Sequence, residues 1–317
     1  MMLTAAVRIG RSLLVVLLVS LAVVGLMSLA PGSVASVILG EDATPESIAA
    51  LNEKLGLDQP FWAQYLDWLG NAVRGDLGTS PITNQPVTEA IAERLPVTLQ
   101  LAAMALLIAL AVAVLMAVAS AVRPGGAVDR ALNVVSSVFL SVPAFIAGPV
   151  LIYLLAQQLG WFPVIGWTDV GEGLAANLRG ALLPAISIAL IEIAAFHRIL
   201  REDLIGTLRE DFVGAARAKG MSPSYVMFRH ALRPSSMSLI TLAGINLGRL
   251  VGGTVIVESL FLLPGLGQLL TSSIVSRDLI TVQGVVVFVA VVYVAINTVV
   301  DLGYRLIDPR VRKAVTA

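Results

Sequence analysis

The sequence predicts an all-α transmembrane protein of six helices, with an extracytoplasmic segment between the first and second. Three observations lead to this fold class. Of the 317 residues, 57% are hydrophobic and only 13% are charged, whereas soluble domains carry about 25% charged residues. Long intervals of the chain contain no charged residue, and about 20 apolar residues in a helix span a hydrocarbon core of about 30 Å. Basic residues are concentrated in alternate loops.

Charge-free intervals give four of the six predicted helices, because an ionisable side chain at the membrane centre costs at least a few kcal/mol. These intervals run from Arg11 to Glu41, Arg94 to Arg123, Arg130 to Asp169 and Asp278 to Asp301. Two further apolar segments, about 182–200 and about 234–261, contain Glu192 and Arg249 respectively. We expect each of the six segments to be one membrane helix.

The placement of basic residues predicts that both termini lie in the cytoplasm. Cytoplasmic loops carry an excess of Lys and Arg, and with the N-terminus inside, 15 of the 21 basic residues fall on that side. An alternative is that the first span is a cleaved signal peptide ending near Ser28 to Ala30. The apolar run from Leu13 to Leu29 is longer than the roughly 7 to 15 residues of a signal h-region, which favours a membrane helix.

The segment between the first two spans has helix signals of its own. The run from Thr44 to Glu46 reads as a cap, a first-turn proline and a first-turn acid, and Gly56 reads as a stop. Phe61, Tyr65 and Trp68 then recur at helical spacing and form one aromatic face. This face either packs on the membrane bundle and headgroups or is a docking surface for an extracytoplasmic partner.

Several kinds of catalytic site are missing from the sequence. The chain has no cysteine and only two histidines, His197 and His230, so a thiolate zinc site and a catalytic thiol are excluded. We interpret both histidines as polar interface residues rather than metal ligands. Neither a G-x-x-x-x-G-K phosphate loop nor an H-E-x-x-H zinc motif is present. We therefore expect a non-catalytic chain that binds no metal or cofactor.

The longest cytoplasmic loop, about 203–234, contains a short helix suited to insertion into a groove on a partner. It has an acid in its first turn, bases in its last turn and a glycine terminator. Four small residues would let another backbone approach, beside an apolar anchor formed by Phe212 and Val213. Ser222 and Pro223 then cap a second helix. The predicted docking residues are Asp211, Phe212, Val213, Gly214, Ala215, Ala216, Arg217, Ala218, Lys219 and Gly220.

This loop resembles the EAA loop of ABC-importer permeases. The motif positions are Ala215, Ala216, Gly220, Leu232 and Pro234, and residues 212–213, 216–221 and 229–233 are similar to the dipeptide/oligopeptide branch. Further similar runs lie at 56–60, 75–80, 95–99, 161–163 and 258–267, in the same order along the chain. Gly214 stands where the motif has Glu, so a specific ion pair is not expected there, whereas docking is.

The resemblance implies a type I ABC importer permease in the bacterial plasma membrane. Its partners would be a second, non-identical permease, two ATPase subunits that bind ATP and Mg²⁺, and an extracytoplasmic peptide-binding protein, with no nucleic acid. The EAA helix would be the coupling helix that sits on the ATPase. The implied substrates are dipeptides and oligopeptides, with a nickel complex or haem as alternatives. We expect a division into residues 1–94, the first helix with the extracytoplasmic segment, and 95–317, a five-helix core.

Charged residues within the predicted spans are functional candidates because their burial is costly. Arg249 is expected about 22 Å from the inner end of its helix and Glu192 about 12 Å from the end of its own, so a direct bond would need snorkelling and tilt. Arg249 would instead face a wet cavity, where it meets a substrate carboxylate, or it would pair with Glu258 or with the second permease. Glu192 would pair with Arg198 or with another chain. Pro264 and Gly265 predict a break that could form an outer gate. The candidates for the translocation path or gate are Arg249, Glu258, Phe261, Pro264 and Gly265.

Two other classes of membrane protein remain as alternatives. An intramembrane serine hydrolase would need a Ser and a His positioned within the bundle, but both histidines are expected on the cytoplasmic side. A secondary transporter would use carboxylates at mid-membrane depth, where Glu192 is the one suitable acid.

Overall fold

The computed structural model describes residues 2–29, 34–40, 43–54 and 58–307. Regular structure in these ranges is helical, apart from one isolated bridge between Thr79 and Pro86. The helices are α1 (Met2–Leu29), α2 (Val34–Leu39), α3 (Pro45–Lys54), α4 (Phe61–Ala72), α5 (Val87–Val122), α6 (Ala127–Ser141), α7 (Ala144–Leu151), α8 (Leu174–Thr207), α9 (Asp211–Ala218), α10 (Pro223–Tyr225), α11 (Leu232–Gly253), α12 (Val255–Leu260), α13 (Leu266–Val275) and α14 (Leu279–Ile307). Two π-helical segments, Ile152–Gln158 and Val226–Ala231, follow α7 and α10 directly.

Among the described residues, α5, α8 and the part of α14 from Leu279 to Val300 are long and apolar enough to cross a membrane. A fourth crossing is available if α6 and the helix from Ala144 to Gln158 count as one bent span. The remaining two predicted segments are also helical: α1 has a shorter apolar stretch, Leu14–Met27, and α11 carries Arg249.

The prediction of one helix between Arg130 and Asp169 is wrong in its geometry. α6 and the next helix meet at an angle of 106°. The break falls at Val142, whose backbone is extended, just before Pro143. A residue that precedes proline is disfavoured in the α conformation because the proline ring crowds its backbone and Cβ.

One compact unit of the chain consists of Met1–Thr98 and Pro264–Ala295. Its core is built from Val87, Ile91, Leu266 and Val285. A Cβ added at Gly284 would lie 2.6 Å from the Val87 side chain, so the close approach of α5 and α14 here depends on glycine.

The helix signals of the segment between the first two predicted spans are confirmed where the structure describes them. Thr44 caps α3, since its Oγ1 accepts a hydrogen bond from the Ser47 backbone N–H at 3.2 Å. Gly56, the predicted stop, lies outside the described residues. Two members of the predicted aromatic face pack within this unit: Tyr65 hydrogen-bonds Ser20 of α1 at 2.7 Å, and Trp68 donates to the Leu77 carbonyl at 3.1 Å. The side chain of Phe61, the third member, lies outside the described part of the chain. Docking of an extracytoplasmic partner on this face stays a prediction.

The second compact unit consists of Leu99–Leu263 and Ile296–Ala317. α8 packs against α6, α7, α11 and α12 within it, and buries Leu183, Ala189, Phe196, Leu200 and Leu204. The unit boundaries fall inside α5 and α14, so each of these helices contributes residues to both units. The functional division at residues 94 and 95 stays a prediction.

Candidate coupling and translocation site

The helix α9 occupies Asp211–Ala218, as its sequence predicts, and ends in a Schellman motif. Gly220 has a φ of +78°, its N–H donates to the Arg217 carbonyl at 2.9 Å, and the Met221 N–H donates to the Ala216 carbonyl at 3.3 Å. This pattern satisfies the last carbonyls of a helix and favours glycine at the left-handed position. The second predicted cap is also confirmed, because Ser222 Oγ accepts from the Tyr225 N–H at 3.4 Å.

The two faces of α9 differ in what they contact. Val213 and Ala216 are buried in a cluster of this chain's own side chains with Val226, Leu208 and Met221. The opposite face is open: Phe212 is 49% exposed, and a Cβ added at Gly214 would meet nothing within 4 Å. Spacing by three residues places 213 and 216 on one side of the helix. The apolar anchor available to a partner is therefore Phe212 and not Val213.

The small residues of the open face are Gly214, Ala215 and Ala218, all of them exposed. Asp211, Arg217, Lys219 and Gly220 are exposed around them. Of the ten predicted docking residues, the structure thus brings eight to the surface and turns two inward. A surface with a glycine, two alanines and one exposed ring can accept a close-packed partner, because Gly214, Ala215 and Ala218 themselves carry no long side chain.

A buried carboxylate and an exposed guanidinium form an ion pair between α8 and α11. Glu192 accepts hydrogen bonds from Arg249 Nη2 and, at 2.5 Å, from Asn246 Nδ2. The Glu192 side chain is only 4% exposed, whereas that of Arg249 is 59% exposed. Glu192 lies within α8 and Arg249 within α11, so the ion pair joins two regular helices.

The expected difference in depth between Glu192 and Arg249 is wrong. α8 continues to Thr207 rather than ending near Leu200, so Glu192 lies about 22 Å from the C-terminal end of α8. Arg249 lies about 25 Å from the start of α11 at Leu232. The two depths match, and a direct bond forms without Glu258 or Arg198.

His197 lies in a buried polar network that the sequence did not reveal. Its Nδ1 is 2.6 Å from Ser136 Oγ and its Nε2 is 3.1 Å from Ser120 Oγ. One turn further along α8, Arg201 donates from Nε and Nη2 to the two carboxylate oxygens of Asp129, each at 2.6 Å. The network links α5, α6 and α8. The only sequence signal was an acid, Asp129, in an otherwise basic loop.

This network does not form a hydrolytic site. His197, Ser120 and Ser136 are all buried, so a substrate bond cannot reach either hydroxyl. Both imidazole nitrogens contact serine, which leaves no carboxylate to orient the ring as a general base. The arrangement is that of a fully hydrogen-bonded structural contact between helices.

The helix break predicted around Pro264 and Gly265 is present. α12 ends at Leu260, and Leu262 has a φ of +51°. Glu258 is buried and accepts a hydrogen bond from Thr254 Oγ1 at 2.7 Å. Phe261 is also buried, beside Gly148, where a Cβ would lie 3.2 Å from its ring. These two gate candidates are therefore packed inside this unit.

The rest of the break belongs to the other unit. Pro264 is exposed, and Gly265 precedes the first residue of α13. The Leu266 N–H donates to Thr98 Oγ1 at 2.9 Å, which satisfies one of the free amides at the start of α13.

Comparison with known proteins assigns the family. Residues 109–313 match the family described as binding-protein-dependent transport system inner membrane component. Residues 1–102 match the N-terminal region of such membrane components. This chain belongs to that permease family. The family that the loop at about 203–234 resembles is confirmed, as is the all-α transmembrane fold class.

Relatives of this permease cover almost its whole length. It is 38% identical over 305 residues to the "Probable peptide ABC transporter permease protein y4tP" of Sinorhizobium fredii, covering 96% of this chain and 97% of that one. It is 35% identical to the di/tripeptide transport system permease protein DppB of Pseudomonas aeruginosa, covering 93% and 94%. It is 34% identical to the oligopeptide transport system permease protein AppB of Bacillus subtilis, covering 90% and 92%.

A solved structure supports the fold of this permease. A chain of an amino acid ABC transporter with histidines aligns with a TM-score of 0.53 at 17% identity, over 69% of this permease and 94% of that chain. Together with the apolar helices, the family shows that the permease is a multi-pass protein of the inner membrane.

Proposed function

We propose that this permease is the transmembrane subunit of an ATP-driven importer and forms half of a translocation path for dipeptides or oligopeptides. The observation that carries the proposal is similarity over nearly the full length to permeases named for dipeptide and oligopeptide transport. The other half of the path comes from a second, non-identical permease. A nickel complex or haem as substrate is less well supported, because the relatives named above are peptide permeases.

The chain itself is non-catalytic in this proposal. Two ATPase subunits bind ATP and Mg²⁺, and the outward face of α9 docks on them. That role falls on the exposed residues of the helix, with Phe212 as the anchor and Gly214 at the point of closest approach. Motion of the ATPases then moves α9, and through α10 and the following π-helical segment it moves α11.

The packing of the inner face of α9 supports this route of coupling. Val213 and Ala216 fix the inner face of α9 against Val226, in the segment that leads into α11. A displacement of α9 is therefore transmitted through packed side chains to the segment that leads into α11. Such rigid-body switching between two packed arrangements is a general mechanism of conformational change.

The proposed orientation places both termini and α9 in the cytoplasm, in a bacterial plasma membrane. It is supported by the basic residues of alternate loops, which are expected on the inside. The segment between the first two spans then lies outside, where an extracytoplasmic peptide-binding protein delivers the substrate. Among the path candidates, Arg249 is the charged residue exposed on a membrane helix, and we place it on the path. Glu258 and Phe261 support the path from within the packed unit, and Pro264 and Gly265 belong to the outer turn.

Reconstitution tests the function directly. The permease is purified with its second permease and ATPases, placed in proteoliposomes, and supplied with ATP and peptide-loaded binding protein. We expect uptake of a labelled dipeptide that requires ATP and stops when the ATPase active site is inactivated. Accumulation by this chain alone under a proton gradient would instead establish a secondary transporter, and uptake of a nickel complex or haem without peptide uptake would change the substrate class.

A further inference from the structure

The ion pair between Glu192 and Arg249 presents only one of its two charges to the surroundings. The carboxylate of Glu192 is enclosed, and Asn246 holds its second oxygen at 2.5 Å. The guanidinium of Arg249 is more than half exposed, and the hydrogen bond that the described residues make to it uses Nη2. Its Nε and Nη1 remain available as donors within the described chain. Any ligand that reaches this pair therefore meets a cation.

The surroundings of Arg249 leave room for a ligand. Gly252 and Gly253, about one turn further along α11, are both exposed. A Cβ added at Gly253 would meet nothing within 4 Å. A charged side chain exposed to hydrocarbon is costly, so this face of α11 requires water, a ligand or another protein chain beside it.

We propose that Arg249 is a subsite for the C-terminal carboxylate of the transported peptide. This inference rests on the proposed function as a peptide permease. A guanidinium matches a carboxylate through parallel N–H donors, and a charge-assisted bond of this kind is about twice as strong as a neutral one. The N-terminal ammonium of a peptide would need Glu192, which is enclosed. The subsite therefore selects the acidic end of the substrate.

Glu192 sets the strength of this subsite. Because its negative charge already pairs with Arg249, an arriving carboxylate meets a guanidinium whose positive charge is partly neutralised. A path needs sites that are favourable enough to enter and weak enough to leave. Asn246 keeps Glu192 in place, so the carboxylate cannot turn outward and occupy the free donors. The pair is thus a fixed, moderate cation site.

The test compares uptake of one labelled dipeptide with a free C-terminal carboxylate and with a C-terminal amide, in the reconstituted full complex. The same binding protein delivers both forms at saturating concentration, so its own preference cancels when the acid-to-amide uptake ratio of a variant is divided by that of the wild type. Arg249→Gln is expected to lower this ratio about tenfold, from the loss of a charge-assisted contact. Arg249→Lys is expected to lower this ratio less, because the positive charge remains and only the parallel N–H donors of the guanidinium are lost.

Two matched variants distinguish the loss of the carboxylate subsite from the destabilisation caused by breaking the ion pair. The double variant Arg249→Gln with Glu192→Gln removes both charges and leaves no unpaired buried carboxylate; it is expected to show the same loss of ratio. Glu192→Gln alone keeps the guanidinium and is expected to hold the ratio at or above the wild-type value. Copurification with the second permease and the ATPases is measured for each variant.

The outcomes are distinct. An unchanged ratio in Arg249→Gln overturns the proposal. An equal fall in uptake of both peptide forms, or loss of the second permease on copurification, assigns Arg249 to a structural contact with that chain and overturns it as well. If the wild-type complex imports neither peptide form, the proposed function itself fails, and the carboxylate subsite fails with it.

Discussion

Replacement of Gly214 with leucine tests whether the outward face of α9 makes a close-packed contact with a partner. A side chain at this position meets nothing within 4 Å in the permease itself. Leucine is also the better helix former by about 0.8 kcal/mol, so the isolated chain should be as stable as the wild type or slightly more so. Any loss of function must then arise outside the chain.

The expected loss follows from overpacking. Inserting a large side chain into a well-packed contact costs about 1–3 kcal/mol, which is about a 5- to 150-fold change in a coupled equilibrium. Gly214→Ala adds a single methyl group and should lie near the lower end of this range. Phe212→Ala, which removes the exposed ring from the same face, should weaken docking by loss of buried apolar area.

The assay measures three quantities on the reconstituted complex: copurification of the ATPases, ATP hydrolysis stimulated by loaded binding protein, and peptide uptake. Gly214→Leu should lower uptake by at least about fivefold and disconnect it from ATP hydrolysis. Gly10→Leu is the matched control, because Gly10 is also helical and open on its Cβ side, and it should transport normally. Wild-type uptake by Gly214→Leu would refute a close contact at this face.

Three further predictions concern packing inside the second unit. Ala216→Leu should lower the free energy of unfolding in detergent by about 1–3 kcal/mol, because Ala216 is buried against this chain's own core; unchanged thermal unfolding would contradict its inward position. Asp129→Ala should cost about 3 kcal/mol by leaving Arg201 without its carboxylate, and a double variant with Arg201→Met should recover part of that loss in the same unfolding measurement. Gly244→Ala should destabilise the permease because the new Cβ would lie 2.7 Å from Val300, and Val300→Ala should relieve the clash; purely additive effects in this double-mutant cycle would count against the contact.

A large residue at Ala216 or Gly220 is a less specific test of docking than Gly214→Leu. Ala216 is buried, and Gly220 has a left-handed backbone that costs other residues roughly 1–2 kcal/mol. Both substitutions therefore disturb the loop before they disturb docking, whereas Gly214 isolates the surface.

The sequence by itself determined the features that depend on neighbours along the chain. The assignment to membrane proteins follows from composition, because helices that span the hydrocarbon core must be rich in apolar residues. The start of α3 at Pro45, the Schellman end of α9 at Gly220 and the cap at Ser222 are all present. Each is set by backbone conformation and hydrogen bonds within four or five residues, which a residue pattern specifies directly.

Only the tertiary structure decided which distant residues meet. The bond between Glu192 and Arg249 joins two helices, and its depth depends on where α8 ends, a boundary that apolar periodicity locates poorly. The bidentate pair of Asp129 with Arg201 spans 72 positions. The burial of the Val213 side chain depends on Val226, which packs against α9. Such contacts arise from the rotation and register of whole helices, which the packing of the other helices fixes and local spacing does not.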